Sequence, residues 1–194
     1  FEYMLTKLRD SDLSLQKEDD VAGFLGVHLA VNSDNGSVEL TQTGLIDRII
    51  TAMGLDDATP SKTPAEYGTL PKDVDGDCCN ADFNYASIVG MLLYLLGHSR
   101  PELAFSVSQC ARYTFSPKLS HEKALKRIGR YLIGTRTKGL IMKPSAELSI
   151  DCYVDFDFAG LWSYEDDHDP TCVRSRTGFL IMIGNCPAIW SSKL

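Results

Sequence analysis

Asp155 and Asp157 stand two residues apart at the end of an apolar run that includes Leu148, Ile150, Cys152 and Val154. In a strand, residues two apart share a face. Two carboxylates mounted on a rigid strand end make a hard-oxygen corner suited to Mg²⁺. Metal-assisted phosphodiester hydrolysis uses two ions roughly 3.5–4 Å apart, held by several carboxylates. This pair supplies part of such a cage; the plain alternative is two solvated aspartates at a strand-to-loop junction. The second feature is cationic. Lys123, Lys126, Arg127 and Arg130 fall at i, i+3, i+4 and i+7, opposite the apolar stripe Leu125, Ile128 and Leu132. Packed like charges repel, so a polyanion would relieve them, although a solvated helix face has the same pattern.

Other chemistries find no support. Cys78, Cys79, Cys110, Cys152, Cys172 and Cys186 form no CxxC pair, and no Cys/His spacing suits zinc. His28, His98, His121 and His168 are dispersed, without HExxH, GxSxG or a phosphate-cradling GxxxxGK[ST]. The acidic run Glu165 to Asp169 lacks the spacing and central Gly of a calcium loop and reads as solvated.

Composition is that of an ordinary globular protein: 194 residues, 44% hydrophobic and 23% charged. Disorder, collagen and coiled coil are excluded. The net charge of −7 disguises segregation. Residues 101–145 carry 9 basic and 2 acidic side chains, net +7, between acidic flanks. That asymmetry suggests a polyanion-facing surface. No secretory signal is legible in residues 1–13, and the longest apolar run, Ile88 to Leu96, is nine residues, against the roughly 20 a membrane helix needs. These points indicate a reducing, intracellular setting and no membrane partner. The chain opens on Phe1 and stops at Leu194 inside a strand-like stretch, which suggests a piece of something longer.

Several elements must position these groups. Phe24 to Asn32 alternates, with Val27, Leu29 and Val31 on one face; Ser37 to Thr41 repeats the pattern, and Asn35-Gly36 between them is a strong hairpin signal. Thr41 or Thr43 is a cap for a helix with the stripe Leu45, Ile46, Ile49, Ile50 and Met53, stopped by Gly54. Residues 55–84, rich in Pro, Gly and Asp, form a linking loop. Ser87 to Leu96 has no polar face and predicts a fully buried helix. Leu103, Val107, Cys110 and Ala111 make a further stripe, and Ser120 caps the basic helix, His121 to Ile133. From Gly139 the period changes to two, with strands at Leu140 to Met142, before Asp155, at Thr177 to Ile183 and at Ala188 to Trp190. The last would be an apolar edge prone to aggregation. No internal repeat is visible.

Four blocks, "FLGVHL…NGSVELTQTGLIDRI", "YASIVGMLLYLLGHSRPELAFSVSQCARY", "SHEKALKRIGRYLIGT" and "CYVDFDFAGLW…SRTGFLIMIGNCPAIWSSKL", occur in this order from about Phe24 to Leu194. Together they resemble the C-terminal part of the Pol polyprotein of copia-type LTR retrotransposons. The resemblance implies an α+β chain: a β-hairpin and a thumb- and connection-like helical region ending the reverse transcriptase in residues 1–145, then a truncated RNase H-like mixed sheet in residues 146–194. By the same resemblance Phe24, Leu25 and Gly26 are primer-grip-like, and the helix Leu45 to Met53 is thumb-like. Tyr153-Val154-Asp155 matches a YxD context that makes Asp155 the catalytic and metal-binding carboxylate, with Asp157 its weaker neighbour and Mg²⁺ the cofactor. Lys123, Lys126, Arg127 and Arg130 become phosphate contacts to an RNA–DNA hybrid or DNA duplex, and the rest of the Pol polyprotein a partner. The expected location is cytoplasmic, in a virus-like particle, or nuclear. The departures matter as much. No YxDD precedes Phe24, and no Glu-bearing helix follows the third RNase H strand. The expectation is therefore a fragment that alone neither polymerises nor cleaves; the alternative is a non-catalytic binding relic of a transposable element.

Overall fold

The computed structural model describes Lys7 and residues 25–66, 68–147, 149–162, 168 and 172–193. Phe24 and most of the acidic run Glu165 to Asp169 lie outside these described residues. The elements in order are β1 (His28–Asn32), β2 (Ser37–Thr41), α1 (Thr43–Ala52), α2 (Tyr85–His98), a 3₁₀ turn (Pro101–Leu103), α3 (Ala104–Ala111), α4 (Leu119–Gly134), β3 (Leu140–Met142), β4 (Ile150–Phe156), β5 (Thr177–Ile183) and β6 (Cys186–Lys193). Two three-stranded sheets, β1-β2-β3 and β4-β5-β6, flank the helices in sequence. Every pairing in both is antiparallel, so the second is not mixed over the described residues.

The expected stripes meet in one core. Ile46 and Ile49 of α1, Ile88, Leu92 and Leu95 of α2, Val107 of α3, and Leu125, Ile128 and Leu132 of α4 are all buried together. Each buried aliphatic side chain contributes about 1.5–3 kcal/mol relative to exposure. The apolar helix α2 is not buried all round, however: Leu93 and Tyr94 are exposed. Its buried residues Ile88, Val89, Leu92 and Leu95 lie in the core with α1 and α3, which pack on it.

Local chemistry departs from expectation at three starts and turns. α1 has Gln42 before it and no side-chain cap. Gln42 instead accepts from the Ser99 hydroxyl at 2.7 Å inside the core. Ser120 does not cap α4; its hydroxyl donates to Asp73, and Lys118 N–H donates to His121 Nδ1 at 3.0 Å. The β1–β2 loop is four residues, because Asn32 pairs with Ser37. Of Asn35 and Gly36 only Gly36 is left-handed (φ +68°), and Asn35 uses its side chain to accept the Ser37 N–H at 2.9 Å. The tight two-residue turn with both residues at positive φ is Gly184-Asn185, joining Ile183 to its partner Cys186.

Two hydrogen bonds and a cation–ring contact are among the links between the helices and the second sheet. Trp190 Nε1 donates to Leu96 O at 2.8 Å, Arg176 Nη1 donates to Ser108 Oγ at 2.6 Å, and the Arg176 guanidinium lies 5.0 Å from the Phe105 ring centre. β6 is an edge strand, but its Trp190 is thereby tied down. The two ends of the segment joining β3 to β4 hydrogen-bond to Gly184, through Ser145 N (2.8 Å) and Ser149 O (2.9 Å).

Arg100 is the largest fully buried side chain. Its Nε donates to Glu102 at 2.6 Å, and its Nη1 and Nη2 donate to Thr135 O (3.1 Å) and Thr135 Oγ1 (2.7 Å). Its guanidinium also sits 5.6 Å from the Tyr131 ring centre. The cation therefore closes the C-terminus of α4, where the helix dipole is negative. Arg100→Ala should lower the unfolding free energy by about 3 kcal/mol, since it leaves the helix end and Glu102 without their donor. Arg100→Lys should recover only part of that, because an ammonium cannot make the forked set. Urea unfolding of the three proteins checks both.

Candidate functional site

α4 places its four cations differently from one another. Successive residues turn by about 100°, so Lys126 and Arg127 diverge while Lys123, Arg127 and Arg130 stay on one side. Lys126 leans the other way: its Nζ donates to Glu122 at 2.7 Å and lies 5.1 Å from the Phe83 ring centre. Arg127 donates to Glu66 at 3.0 Å and to Thr63 Oγ1 at 3.0 Å. Lys123 and Arg130 are exposed and make no ion pair among the described residues. The expected single face of four free cations is thus two free, one paired across to a loop and one paired along its own helix.

Glu122 escapes a reading of the sequence for cations, although its i,i+4 spacing to Lys126 is readable there. It is buried and accepts from Cys79 Sγ (3.3 Å), Asn80 N (3.1 Å), Asn80 Nδ2 (3.1 Å) and Lys126 Nζ. Burial alone would raise its pKa, but the bonds from Lys126, Asn80 and Cys79 outweigh it and hold the group at about 2. Burial, with Glu122 beside it, pushes the Cys79 thiol up to about 11, so it is unreactive. None of the six cysteines is in a disulfide. His121 stacks on Tyr113 at 3.9 Å and faces Pro71 O through Nε2 at 2.9 Å. Since Nδ1 accepts from Lys118, the ring is neutral, and burial depresses its pKa.

The other expected residues separate. Leu25 and Gly26 form a turn with both φ values positive (52° and 75°). Tyr94 Oη donates to Leu25 O at 2.6 Å and its ring lies 4.2 Å from that of His98. The exposed aromatic of α2 thus anchors the turn before β1, a contact that sequence spacing does not encode. A left-handed conformation is uncommon for a bulky residue such as leucine, and the Tyr94 bond helps fix it.

Asp155 lies opposite Gly178 in the β4–β5 ladder, exposed and without a hydrogen-bond partner among the described residues. Asp157 lies past the end of β4 and is committed: its Oδ1 accepts Arg176 N at 2.6 Å, while its own N–H donates to Arg176 O at 3.1 Å. No group of three or more His, Cys, Asp or Glu able to hold a metal occurs among the described residues. One free carboxylate and one structural one do not fit a two-ion centre by themselves, and no metal-dependent step follows from them.

No family model matches the chain, and no solved structure does. Curated proteins do. The chain is 31% identical over 180 residues to the Retrovirus-related Pol polyprotein from transposon RE1 of Arabidopsis thaliana, and 32% identical over 182 residues to that from transposon RE2. Each match covers 93% of this chain and 12% of the polyprotein. The chain belongs with the Pol polyproteins of copia-type retrotransposons. It spans about an eighth of the length of these Pol relatives. It is also 29% identical to an uncharacterized mitochondrial protein of Arabidopsis thaliana, over 98% of this chain and 74% of that protein. No helix among the described residues of this Pol relative is long and apolar enough to cross a membrane.

Two buried groups beside one another on α4 set a pH dependence. His121 has a folded pKa below its ordinary 6.5, and Glu122 one of about 2, below its ordinary 4.5. In both cases the unfolded chain binds more protons, so stability is present above the ordinary value and lost as pH falls. The loss should begin near pH 6.5 with His121 and continue from 4.5 towards 2 with Glu122. Glu122→Gln should cost about 1–3 kcal/mol at neutral pH and flatten the lower limb. Denaturation midpoints of both proteins, followed from neutral pH down to about pH 3, check this.

Proposed function

We propose that this chain is a duplex-handling part of a retrotransposon reverse transcriptase and RNase H, and that it contacts an RNA–DNA hybrid or DNA duplex through α4. The observation that carries this reading is the pair of uncommitted cations, Lys123 and Arg130, on one side of α4 in a chain that aligns along nearly its whole length with transposon Pol polyproteins. Phosphate contacts from such groups give affinity without sequence choice. The Leu25–Gly26 turn, held by Tyr94, is the primer-grip-like element of the same reading. In the same reading Asp155, the uncommitted carboxylate of β4, is the residue that would serve Mg²⁺; the further donors such a site needs are not found beside it among the described residues. RNA-directed synthesis and hybrid cleavage belong to the longer Pol polyprotein, which is the partner, and the setting is intracellular.

A second reading is a stand-alone binding module without catalysis. The mitochondrial relative favours it, because this chain aligns with three quarters of that protein.

The double change Lys123→Glu, Arg130→Glu should weaken hybrid binding roughly tenfold or more at low salt and flatten the dependence of log affinity on log salt by about two contacts. Filter binding across a salt series reads both, and an unchanged slope would remove α4 from the interface. Lys126→Glu should instead act mainly on stability, because it breaks the Glu122 pair. Asp155→Asn should leave hybrid binding without Mg²⁺ unchanged and abolish any Mg²⁺-dependent gain, read in the same assay with and without the ion.

A further inference from the structure

Residues 64–66 and 68–71 line, together with residues of α3 and α4, a cavity of about 550 Å³. That lies within the range of roughly 300–1,000 Å³ used for small-molecule sites. Its walls are chemically divided. Lys123, Arg127 and Arg130 line it on one side, while Phe105, Leu70 and the buried Ile128 line it elsewhere. Among the described lining residues Glu66 is the one carboxylate, so charge is in excess by two cations. Glu66 is largely solvated, with 80% of its side chain exposed, yet it takes one end of the Arg127 fork at 3.0 Å. Arg127 Nε is buried and has no acceptor among the described residues. The Arg127 guanidinium thus has one unpaired donor and, in Glu66, a solvated and weakly held acceptor. A buried donor without an acceptor costs about 1–3 kcal/mol, which a better-placed anion would recover.

We infer that this cavity binds a nucleoside phosphate, with the phosphate on Lys123, Arg127 and Arg130 in place of Glu66, and the base against the wall that includes Phe105. A phosphate accepts the two-pronged donation of arginine better than a single exposed carboxylate does, and a flat base suits an apolar wall with an aromatic edge. The occupant is a free mononucleotide or the unpaired terminal nucleotide of a strand. The site shares Lys123 and Arg130 with the duplex reading but does not depend on it, since it needs in addition the cavity beside them, which duplex contact does not.

The test is calorimetric titration of the whole chain with AMP, inorganic phosphate and adenosine. AMP should bind more tightly than either part, by about tenfold or more, the gain of one well-made contact set. Glu66→Gln, a change at an exposed residue, should tighten AMP about two- to fivefold by freeing Arg127; a pair worth a few tenths to one kcal/mol corresponds to that range. Ala124→Leu, which fills the cavity without altering charge, should weaken AMP about tenfold and leave duplex binding unchanged. A duplex with a one-nucleotide 5′-phosphorylated overhang should compete with AMP more strongly than the same duplex with blunt ends if strand ends are the source; equal competition by the two, expected from the shared cations alone, leaves the free mononucleotide as the occupant. AMP and inorganic phosphate of equal affinity, or no gain in Glu66→Gln, would overturn the nucleotide site; should Ala124→Leu fail to fold, the Glu66 arm decides alone. Duplex binding without AMP binding sinks this inference and leaves the duplex reading standing; the converse sinks the duplex reading.

Discussion

The arrangement of α4 rests on one buried cation. Arg100 enters the interior between α2 and α3, where an isolated charge would cost far more than the fold can supply. It is tolerated because Glu102, both oxygens of Thr135 and the Tyr131 ring surround it. The same bonds place the C-terminal end of the basic helix against the end of α2. Position and charge of the outward side of α4 therefore follow from an interaction on its inward side. A hydrophobic residue at position 100 would pack there, but it would leave Thr135 O without this donor.

Charge on α4 is managed internally before any partner arrives. Glu122 neutralises Lys126 from within the core, and Glu66 neutralises Arg127 from a loop sixty-one residues away in the chain. The two carboxylates differ in kind. One is buried and four times hydrogen-bonded, hence structural; the other is solvated and singly bound, hence replaceable. A sequence count of four cations overstates what a polyanion would meet, because only position in the folded helix separates these cases.

Much of the architecture was legible in the residues. The stripes Ile46, Ile49, Ile50 and Leu125, Ile128, Leu132 are buried as their spacing predicts, and β3 and β5 run where alternation places them. What failed was local competition. Asn35-Gly36 carries the stronger hairpin signal, yet strand register gives the tight turn to Gly184-Asn185, because Asn32 and Ser37 pair across four residues. Thr43 and Ser120 look like caps, but tertiary partners, Gln42 with Ser99 and Asp73 with Ser120, claim the neighbouring groups. At the site, the shared strand position of Asp155 and Asp157 suggested joint ligation. The turn to Arg176 takes Asp157 away, a contact nineteen residues distant that no local pattern encodes.

β3 has a consequence for how the molecule assembles. Leu140 pairs with Leu40, so the first sheet is finished by a strand made a hundred residues later. A short hairpin such as β1–β2 closes in roughly 1–10 μs, whereas joining β3 must wait until the intervening helices have shortened the gap between the ends, since closing a free loop of that length carries a logarithmically growing entropy penalty. The third strand is thus a latch that records the prior success of the helical core. A polypeptide released before residue 140 would leave the outer side of β2 unpaired, open to strands from neighbouring chains.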